Sequence, residues 1–122
     1  MAEPARSVLV VEDDPAFGRL LTDVLRGVGH DAVLAPTGAE ALEAMASSPP
    51  AVVFVDVDLP DGTGWTVLDE MDRRGITPDR VVVSSASLAA LHHDRPGVFV
   101  LRKPFPIQSL LRLIDGDEFP EI

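Results

Sequence analysis

The chain has 122 residues, enough for one domain, and 46% of them are hydrophobic, enough for a buried core. It contains no cysteine, which excludes a disulfide scaffold, a thiolate metal site and a cysteine nucleophile. Its 20 acidic residues outnumber the 10 basic ones, and a formal charge of -10 disfavours direct binding to nucleic acid. No apolar run approaches the ~20 residues that cross a bilayer, and no signal layout opens the chain. We therefore expect a cytoplasmic protein without membrane contact.

Short apolar runs alternate with longer segments of helical periodicity. The apolar runs predict five strands, at residues 7–11, 31–35, 51–55, 80–84 and 98–101. Helices are predicted between and after the strands, beginning at Pro15, after the N-cap Thr37, at Trp65 and near Ile107. The first helix is predicted to bury one face, made of Phe17, Leu20, Leu21, Val24, Leu25 and Val28. The segment 56–64 is predicted to be a loop.

The predicted strands are apolar throughout instead of alternating with polar residues. This pattern is typical of strands that are buried on both faces. Together with the strand–helix alternation, it predicts an α/β protein with a doubly wound parallel sheet and helices on both faces. In such sheets the ligand site lies at the carboxyl ends of the strands.

Chemically active side chains stand where four of the predicted strands end. Glu12 and Asp13 follow the first strand, Asp56 follows the third, and Ser85 follows the fourth. Lys103, the only lysine of the chain, follows the fifth. Carboxylates brought together in this way repel each other unless a cation sits among them, and oxygen ligands of this kind suit Mg²⁺. A carboxylate can also attack phosphorus, and a hydroxyl and an ammonium can bind the phosphoryl oxygens.

Other polar residues have simpler interpretations. Asp14 directly precedes Pro15 and is expected to cap the first helix, while Asp61, followed by glycine, is typical of a turn. We expect His92 and His93 to be a solvated pair on a short helix, because adjacent helical residues point about 100° apart and chelate poorly. Trp65 is expected to pack in the core.

Four segments of the chain, taken together, resemble the receiver domain of the two-component response-regulator family. They are residues 8–15, 54–64, 81–86 and 103–105, in the family's order, and residues 38–42 add to the match. The resemblance covers nearly the whole chain. It implies a flavodoxin-like receiver, a five-stranded parallel sheet in the order 2-1-3-4-5, and we expect a single receiver domain over residues 1–122 with no output domain.

The resemblance also implies a magnesium site. In this family the acidic pair after the first strand binds Mg²⁺, so Asp13 is expected to be a direct ligand and Glu12 to act mostly through water. Asp56 and the backbone carbonyl of Asp58 are expected to complete the protein ligands.

The same resemblance implies a phosphorylation site. Asp56 matches the residue that accepts a phosphoryl group from a sensor histidine kinase or a histidine phosphotransfer protein. Ser85 matches the hydroxyl that moves toward this group, and Lys103 matches the lysine that pairs with it. The Lys103–Pro104 bond is expected to be cis.

The chain departs from the family pattern in three places. Family members usually carry an aromatic residue three positions before the lysine, where this chain has Val100. Phe99 is expected to pack on the opposite face of the sheet. The segment between Ser85 and Lys103 is about one helical turn short, ~four residues, which predicts a reduced fourth helix. Finally, Asp58 places an acidic side chain two residues after the expected phosphorylation site.

Two other functions are compatible with these residues. The Asp-x-Asp after a strand also fits a small aspartyl-phosphate hydrolase of the haloacid dehalogenase type, although such proteins are longer and usually begin with the nucleophile strand. A degenerate receiver that acts only as a binding module is the other alternative. The chain is expected to be a monomer or weak homodimer, and its sequence does not identify the cognate kinase or the downstream protein target.

Overall fold

The computed structural model describes residues 5–93 and 95–115, in which strands and helices alternate as predicted. In chain order the elements are β1 (Ser7–Val11), α1 (Pro15–Gly27), β2 (Asp31–Ala35), α2 (Gly38–Ser47), β3 (Val52–Asp56), β4 (Asp58–Leu59), β5 (Gly62–Thr63), α3 (Gly64–Arg74), β6 (Arg80–Ser85), α4 (Leu88–Leu91), β7 (Val98–Arg102) and α5 (Ile107–Ile114). Among the helices of these described ranges, none combines the length and the apolar character needed to span a membrane.

Five strands form one parallel sheet in the order β2-β1-β3-β6-β7. The predicted order 2-1-3-4-5 is thereby confirmed, because β4 and β5 pair only with each other in an antiparallel hairpin. This hairpin lies in the segment that was predicted to be a loop. Strand β3 lies at the centre of the sheet, and all of its residues are buried.

The two faces of the sheet are covered by different helices. Alternate strand residues, such as Val53 and Val55, pack in one cluster with residues of α2, α3 and α4. Their neighbours Val52 and Phe54 pack in a second cluster with residues of α1 and α5. The strands are therefore buried on both faces, which is why their sequences are apolar throughout.

The predicted buried face of α1 is wrong at two positions. Leu20 and Val28 are 53% and 55% exposed, whereas Gly18 and Thr22 are buried. A Cβ atom on Gly18 would lie 2.7 Å from Leu34 Cδ1, so the glycine allows α1 to approach β2 closely. This close approach turns Gly18 toward the sheet and leaves Leu20 in solvent.

Acidic side chains cap two helices. Asp14 accepts hydrogen bonds from the amides of Ala16 and Phe17 at the start of α1, as predicted. Asp61 does more than form a turn, because its carboxylate accepts hydrogen bonds from the amides of Gly38 (2.9 Å) and Ala39 (3.0 Å) in α2. These bonds lower the pKa of Asp61 and join the β4–β5 hairpin to α2.

Helix α4 has only four residues, so the prediction of a reduced fourth helix is confirmed. The helix ends at Leu91, and His93 is not on it. Instead, the His93 ring stacks on the Trp65 indole, with the ring centroids 4.1 Å apart and the planes 12° from parallel. Both histidines are exposed, but both lie beyond the end of α4, so the prediction that they form a pair on a helix is wrong. Trp65 is buried as predicted, and its Nε1 donates a hydrogen bond to the carbonyl oxygen of Ala90 (2.8 Å).

Gly64 is required where α3 begins behind Asp56. A Cβ atom there would lie 2.5 Å from the Asp56 carbonyl oxygen, so Gly64→Ala must displace backbone and is expected to cost about 2 kcal/mol of unfolding free energy. Gly27→Ala is the matched control. Its Cβ meets nothing within 4 Å, and alanine at this helical position is expected to gain about 0.5 kcal/mol. Urea denaturation of both variants tests the contrast, and equal stabilities would contradict it.

Candidate functional site

The carboxyl ends of four parallel strands bring the predicted site residues to one edge of the sheet. Asp56 is the last residue of β3 and pairs in register with Ser84 of β6. Glu12 follows β1, Ser85 ends β6, and Lys103 follows β7. Strand order places β3 between β1 and β6, so Asp56 lies at the middle of this edge.

Lys103 joins two of the carboxylates directly. Its Nζ donates hydrogen bonds to Glu12 Oε1 (2.7 Å) and to Asp56 Oδ2 (2.8 Å). The Nζ atom also lies 4.7 Å from the centroid of the Phe17 ring, and the Lys103–Pro104 peptide bond is cis, as expected. One ammonium group, from the segment that follows the edge strand β7, thus bridges the ends of β1 and β3.

The charges of Glu12, Asp56 and Lys103 influence one another's protonation. Glu12 is 1% exposed, and burial raises its pKa. Hydrogen bonds from Lys103 and the Asp14 amide lower the pKa of Glu12 in part, while the negative charge of Asp56 raises it further. Burial acts to lower the pKa of Lys103, but its hydrogen bonds to Asp56 and Glu12 outweigh burial and the pKa is raised. The ammonium is therefore held charged between the carboxylates.

Three carboxylates at this edge are close enough to hold one metal ion. Glu12, Asp13 and Asp56 each offer an oxygen atom within 4.8 Å of the others. Glu12 and Asp56 are buried, whereas Asp13 is exposed. Both Glu12 oxygens are already hydrogen-bonded, Oε1 to Lys103 and Oε2 to the amide of Asp14. This donor set fits Mg²⁺, which takes few carboxylates and keeps several waters.

Asp58 makes different contacts from the other acidic residues. Its amide donates a hydrogen bond to Asp56 Oδ1 (2.9 Å), so both oxygens of Asp56 are engaged, one by Asp58 and the other by Lys103. Its exposed carboxylate accepts a hydrogen bond from the hydroxyl of Ser85 (3.2 Å). This link between β4 and β6 is not predictable from the sequence pattern, whose only signal is an acidic residue two positions after Asp56.

The two adjacent serines at the end of β6 have different partners. Both are fully buried. The Ser84 hydroxyl donates to the carbonyl oxygen of Leu101 (2.8 Å) and so ties β6 to β7. The Ser85 hydroxyl faces Asp58 and also accepts a hydrogen bond from the amide of Ser87 (3.0 Å). The Ser84 hydroxyl is thus engaged by the backbone of β7, whereas the Ser85 hydroxyl faces the Asp58 carboxylate.

The position three residues before Lys103 carries no ring. Val100 is 49% exposed, and the neighbouring Phe99 packs against the cluster formed with α1 and α5. The Arg80 guanidinium lies 4.6 Å from the centroid of the Phe99 ring. The two side chains therefore lie on opposite faces of the sheet, as strand alternation predicts.

Comparison with known proteins agrees with this arrangement. The family described as response regulator receiver domain matches residues 8–115. A solved CheY-like receiver domain from Methylobacillus flagellatus superposes with a TM-score of 0.78 at 27% identity, covering 94% of this chain and 100% of the other. The chain belongs to the response regulator receiver domain family.

Curated relatives carry the same domain in proteins of different length. Protein Rrf1 of Nitratidesulfovibrio vulgaris is 34% identical over 115 residues, which cover 92% of this chain and 81% of Rrf1. The transcriptional regulatory protein KdpE of Mycobacterium tuberculosis is 43% identical over 79 residues, which cover 65% of this chain but 34% of KdpE. The match to KdpE thus spans about a third of that protein.

Removal of the Lys103 charge is expected to destabilise the fold in a pH-dependent way. Lys103→Met leaves the buried Glu12 and Asp56 uncompensated, at a cost of about 2 kcal/mol at pH 7. The pKa of Glu12, already raised by burial, rises further without the lysine. The folded state then binds a proton more tightly than the unfolded state, so stability falls as pH rises through this pKa and the loss is smaller at pH 5.

Arg102→Met is the control, because it removes an exposed positive charge from the adjacent residue. Urea denaturation in metal-free buffer at both pH values measures the effect. If Lys103→Met lost the same unfolding free energy at pH 5 and at pH 7, the proposed effect of Lys103 on the pKa of Glu12 would be contradicted.

Proposed function

We propose that this chain is a phosphorylation-switched signalling receiver in which Asp56 accepts a phosphoryl group from a sensor histidine kinase or a histidine phosphotransfer protein. The observation that carries the proposal is the bridge from Lys103 to Asp56 and Glu12 at the carboxyl end of the central strand. This bridge holds a buried carboxylate beside a fixed positive charge and a metal-compatible acidic pair.

The chemistry proposed for Asp56 is nucleophilic attack on phosphorus. A carboxylate oxygen forms the new P–O bond while the P–N bond of a phosphohistidine breaks, and the histidine nitrogen takes the electron pair. Asp56 is already oriented for this step, because the Asp58 amide and the Lys103 ammonium hold its two oxygens. The chain would catalyse only its own phosphorylation and dephosphorylation.

Five residues would hold the reactive groups in place. Asp13, with Glu12 acting through water, Asp56 and the backbone carbonyl of Asp58 would bind Mg²⁺. When bound, Mg²⁺ supplies positive charge that offsets the carboxylates and the phosphoryl oxygens. Lys103 contributes a second positive charge to the same oxygens.

Ser85 is the proposed hydroxyl partner of the phosphoryl group. Its hydroxyl is buried at the end of β6, next to the strand that carries Asp56, and its one hydrogen is donated to Asp58 in this structure. Donation to a phosphoryl oxygen would draw the end of β6 toward Asp56. This movement is the proposed on-state of the receiver.

The alternative functions fit the structure less well. A hydrolase of the haloacid dehalogenase type does not agree with membership of the receiver family. A binding-only receiver would not need the acidic triad and the lysine bridge, both of which are present. Incubation with acetyl phosphate and Mg²⁺, followed by intact-mass analysis, separates the three. A lasting adduct supports the receiver, release of phosphate from many phosphoesters supports the hydrolase, and no reaction supports the binding module.

The proposal extends to location and partners. We propose that the protein is cytoplasmic and meets its kinase or phosphotransfer protein as a monomer or weak homodimer. Its strong net negative charge, which favours solubility, agrees with this. The same acidity disfavours direct contact between this domain and nucleic acid. Transcriptional control, which the name of KdpE states for that protein, would require a DNA-binding partner or segment outside the matched region.

Asp56 is expected to be the only phosphorylated residue. Asp56→Asn keeps the side-chain shape but removes the nucleophile, so it should fold and gain no phosphoryl mass with acetyl phosphate and Mg²⁺. Asp23→Asn, an exposed carboxylate on α1, is the control and should form the adduct normally. An adduct of unchanged yield in Asp56→Asn would show that another residue accepts the group.

Lys103 is expected to resist replacement by arginine. Its ammonium acts as a compact point charge between two carboxylates, whereas a guanidinium is wider and prefers planar, forked contacts. Lys103→Arg should therefore lose the change in Trp65 fluorescence that accompanies phosphorylation. The control is the reciprocal change at the exposed neighbour, Arg102→Lys, which should keep it. A full response in Lys103→Arg would refute the argument from size.

A further inference from the structure

The hydroxyl of Ser85 is already occupied in this structure. It donates its hydrogen to Asp58 Oδ2 (3.2 Å) and accepts the amide hydrogen of Ser87 (3.0 Å). Ser85 is fully buried, whereas the carboxylate of Asp58 is exposed. A serine hydroxyl has one hydrogen, and it cannot serve Asp58 and a phosphoryl oxygen together.

We propose that Asp58 is a positioning residue that holds the Ser85 hydroxyl in its resting orientation, and that phosphorylation of Asp56 releases it. This inference rests on the proposed function, because it describes the regulation of the same site. The Asp58 carboxylate competes with the phosphoryl group for one hydrogen. The resting state is therefore stabilised by a charge-assisted hydrogen bond that the phosphorylated state must break.

Electrostatic repulsion supplies the release. Phosphorylation replaces the single charge of the Asp56 carboxylate with a phosphoryl group that carries about -1.5 to -2, two residues from the Asp58 carboxylate. The Asp58 backbone stays anchored through its amide, which donates to Asp56 Oδ1, but its side chain is exposed and can turn toward water. Repulsion thus moves Asp58 away and frees the Ser85 hydrogen for the phosphoryl oxygen.

A chain of hydrogen bonds connects Ser85 to the only tryptophan. The Ser87 amide binds Ser85 Oγ, and the Ser87 hydroxyl caps α4 by accepting from the amide of Ala90 (3.2 Å). The Ala90 carbonyl oxygen in turn accepts from Trp65 Nε1 (2.8 Å). Helix α4 has only four residues, of which Leu91 is buried. A shift of Ser85 is therefore transmitted to the Trp65 indole without an aromatic residue at position 100.

The resting protein, with no phosphodonor present, provides the test. Asp58→Ala removes the carboxylate and keeps the backbone carbonyl and amide. We expect amide hydrogen exchange in residues 85–91 to become roughly three- to tenfold faster, the size expected for one charge-assisted bond to an exposed carboxylate. Trp65 fluorescence should shift in the direction that phosphorylation produces in the unsubstituted protein. Asp23→Ala, which removes an exposed carboxylate from α1, should change neither signal.

A double substitution shows whether Asp58 acts through Ser85. In the Ser85→Ala background the hydroxyl is gone, so adding Asp58→Ala should have no further effect on exchange or fluorescence. An equal effect of Asp58→Ala with and without the Ser85 hydroxyl would overturn the proposal. It would also be overturned if Asp58→Ala altered only the lifetime of the phosphoryl adduct, because Asp58 would then act on hydrolysis alone.

The exchange measurement in the resting protein is independent of the proposed function. Failure of acetyl phosphate to modify Asp56 would count against the receiver function but would leave the resting-state exchange data as they are. Conversely, a normal adduct on Asp56 together with unchanged exchange in Asp58→Ala would keep the receiver function and reject the role of Asp58.

Discussion

The double ion pair of Lys103 with Glu12 and Asp56 is the interaction on which the site depends. It joins the segment after β7 to the end of the central strand β3 and to the end of β1, which lies on the other side of β3. Without this ammonium two buried carboxylates would face each other, and the edge of the sheet that carries the acidic cluster would be destabilised by their repulsion. One ammonium group therefore holds the carboxylates of Glu12 and Asp56 in place at this edge.

The helices around this edge of the sheet differ in how much they are packed. Helices α1, α2, α3 and α5 cover the two apolar faces of the sheet, and Gly64 lets α3 begin directly behind Asp56. Helix α4 has four residues and is held by the Ser87 cap and the Trp65 indole. The helix that follows Ser85 is thus the shortest of the described helices, and a short element costs less free energy to move than a long one.

Several features lie in residues that are far apart in sequence and have no sequence signal. The Asp61 carboxylate caps α2, 22 and 23 residues away, and the prediction of a simple turn missed it. His93 stacks on Trp65 because the chain leaves α4 after one turn, a contact that helical periodicity cannot indicate. The face of α1 was misjudged because Gly18, which has no side chain to count as apolar, lies against Leu34. Each error concerns contact between elements and not the elements themselves.

The sequence by itself determined the five strands, their parallel direction and the edge at which the reactive side chains meet. Continuous apolar runs admit burial only on both faces, and parallel strands bring their carboxyl ends together, so Glu12, Asp56, Ser85 and Lys103 had to converge. Only the tertiary structure decided which atoms pair there. The direction of the Lys103 ammonium and the bond from Ser85 to Asp58 depend on side-chain rotamers and on the β4–β5 hairpin, where distances of a few tenths of an ångström separate a hydrogen bond from none.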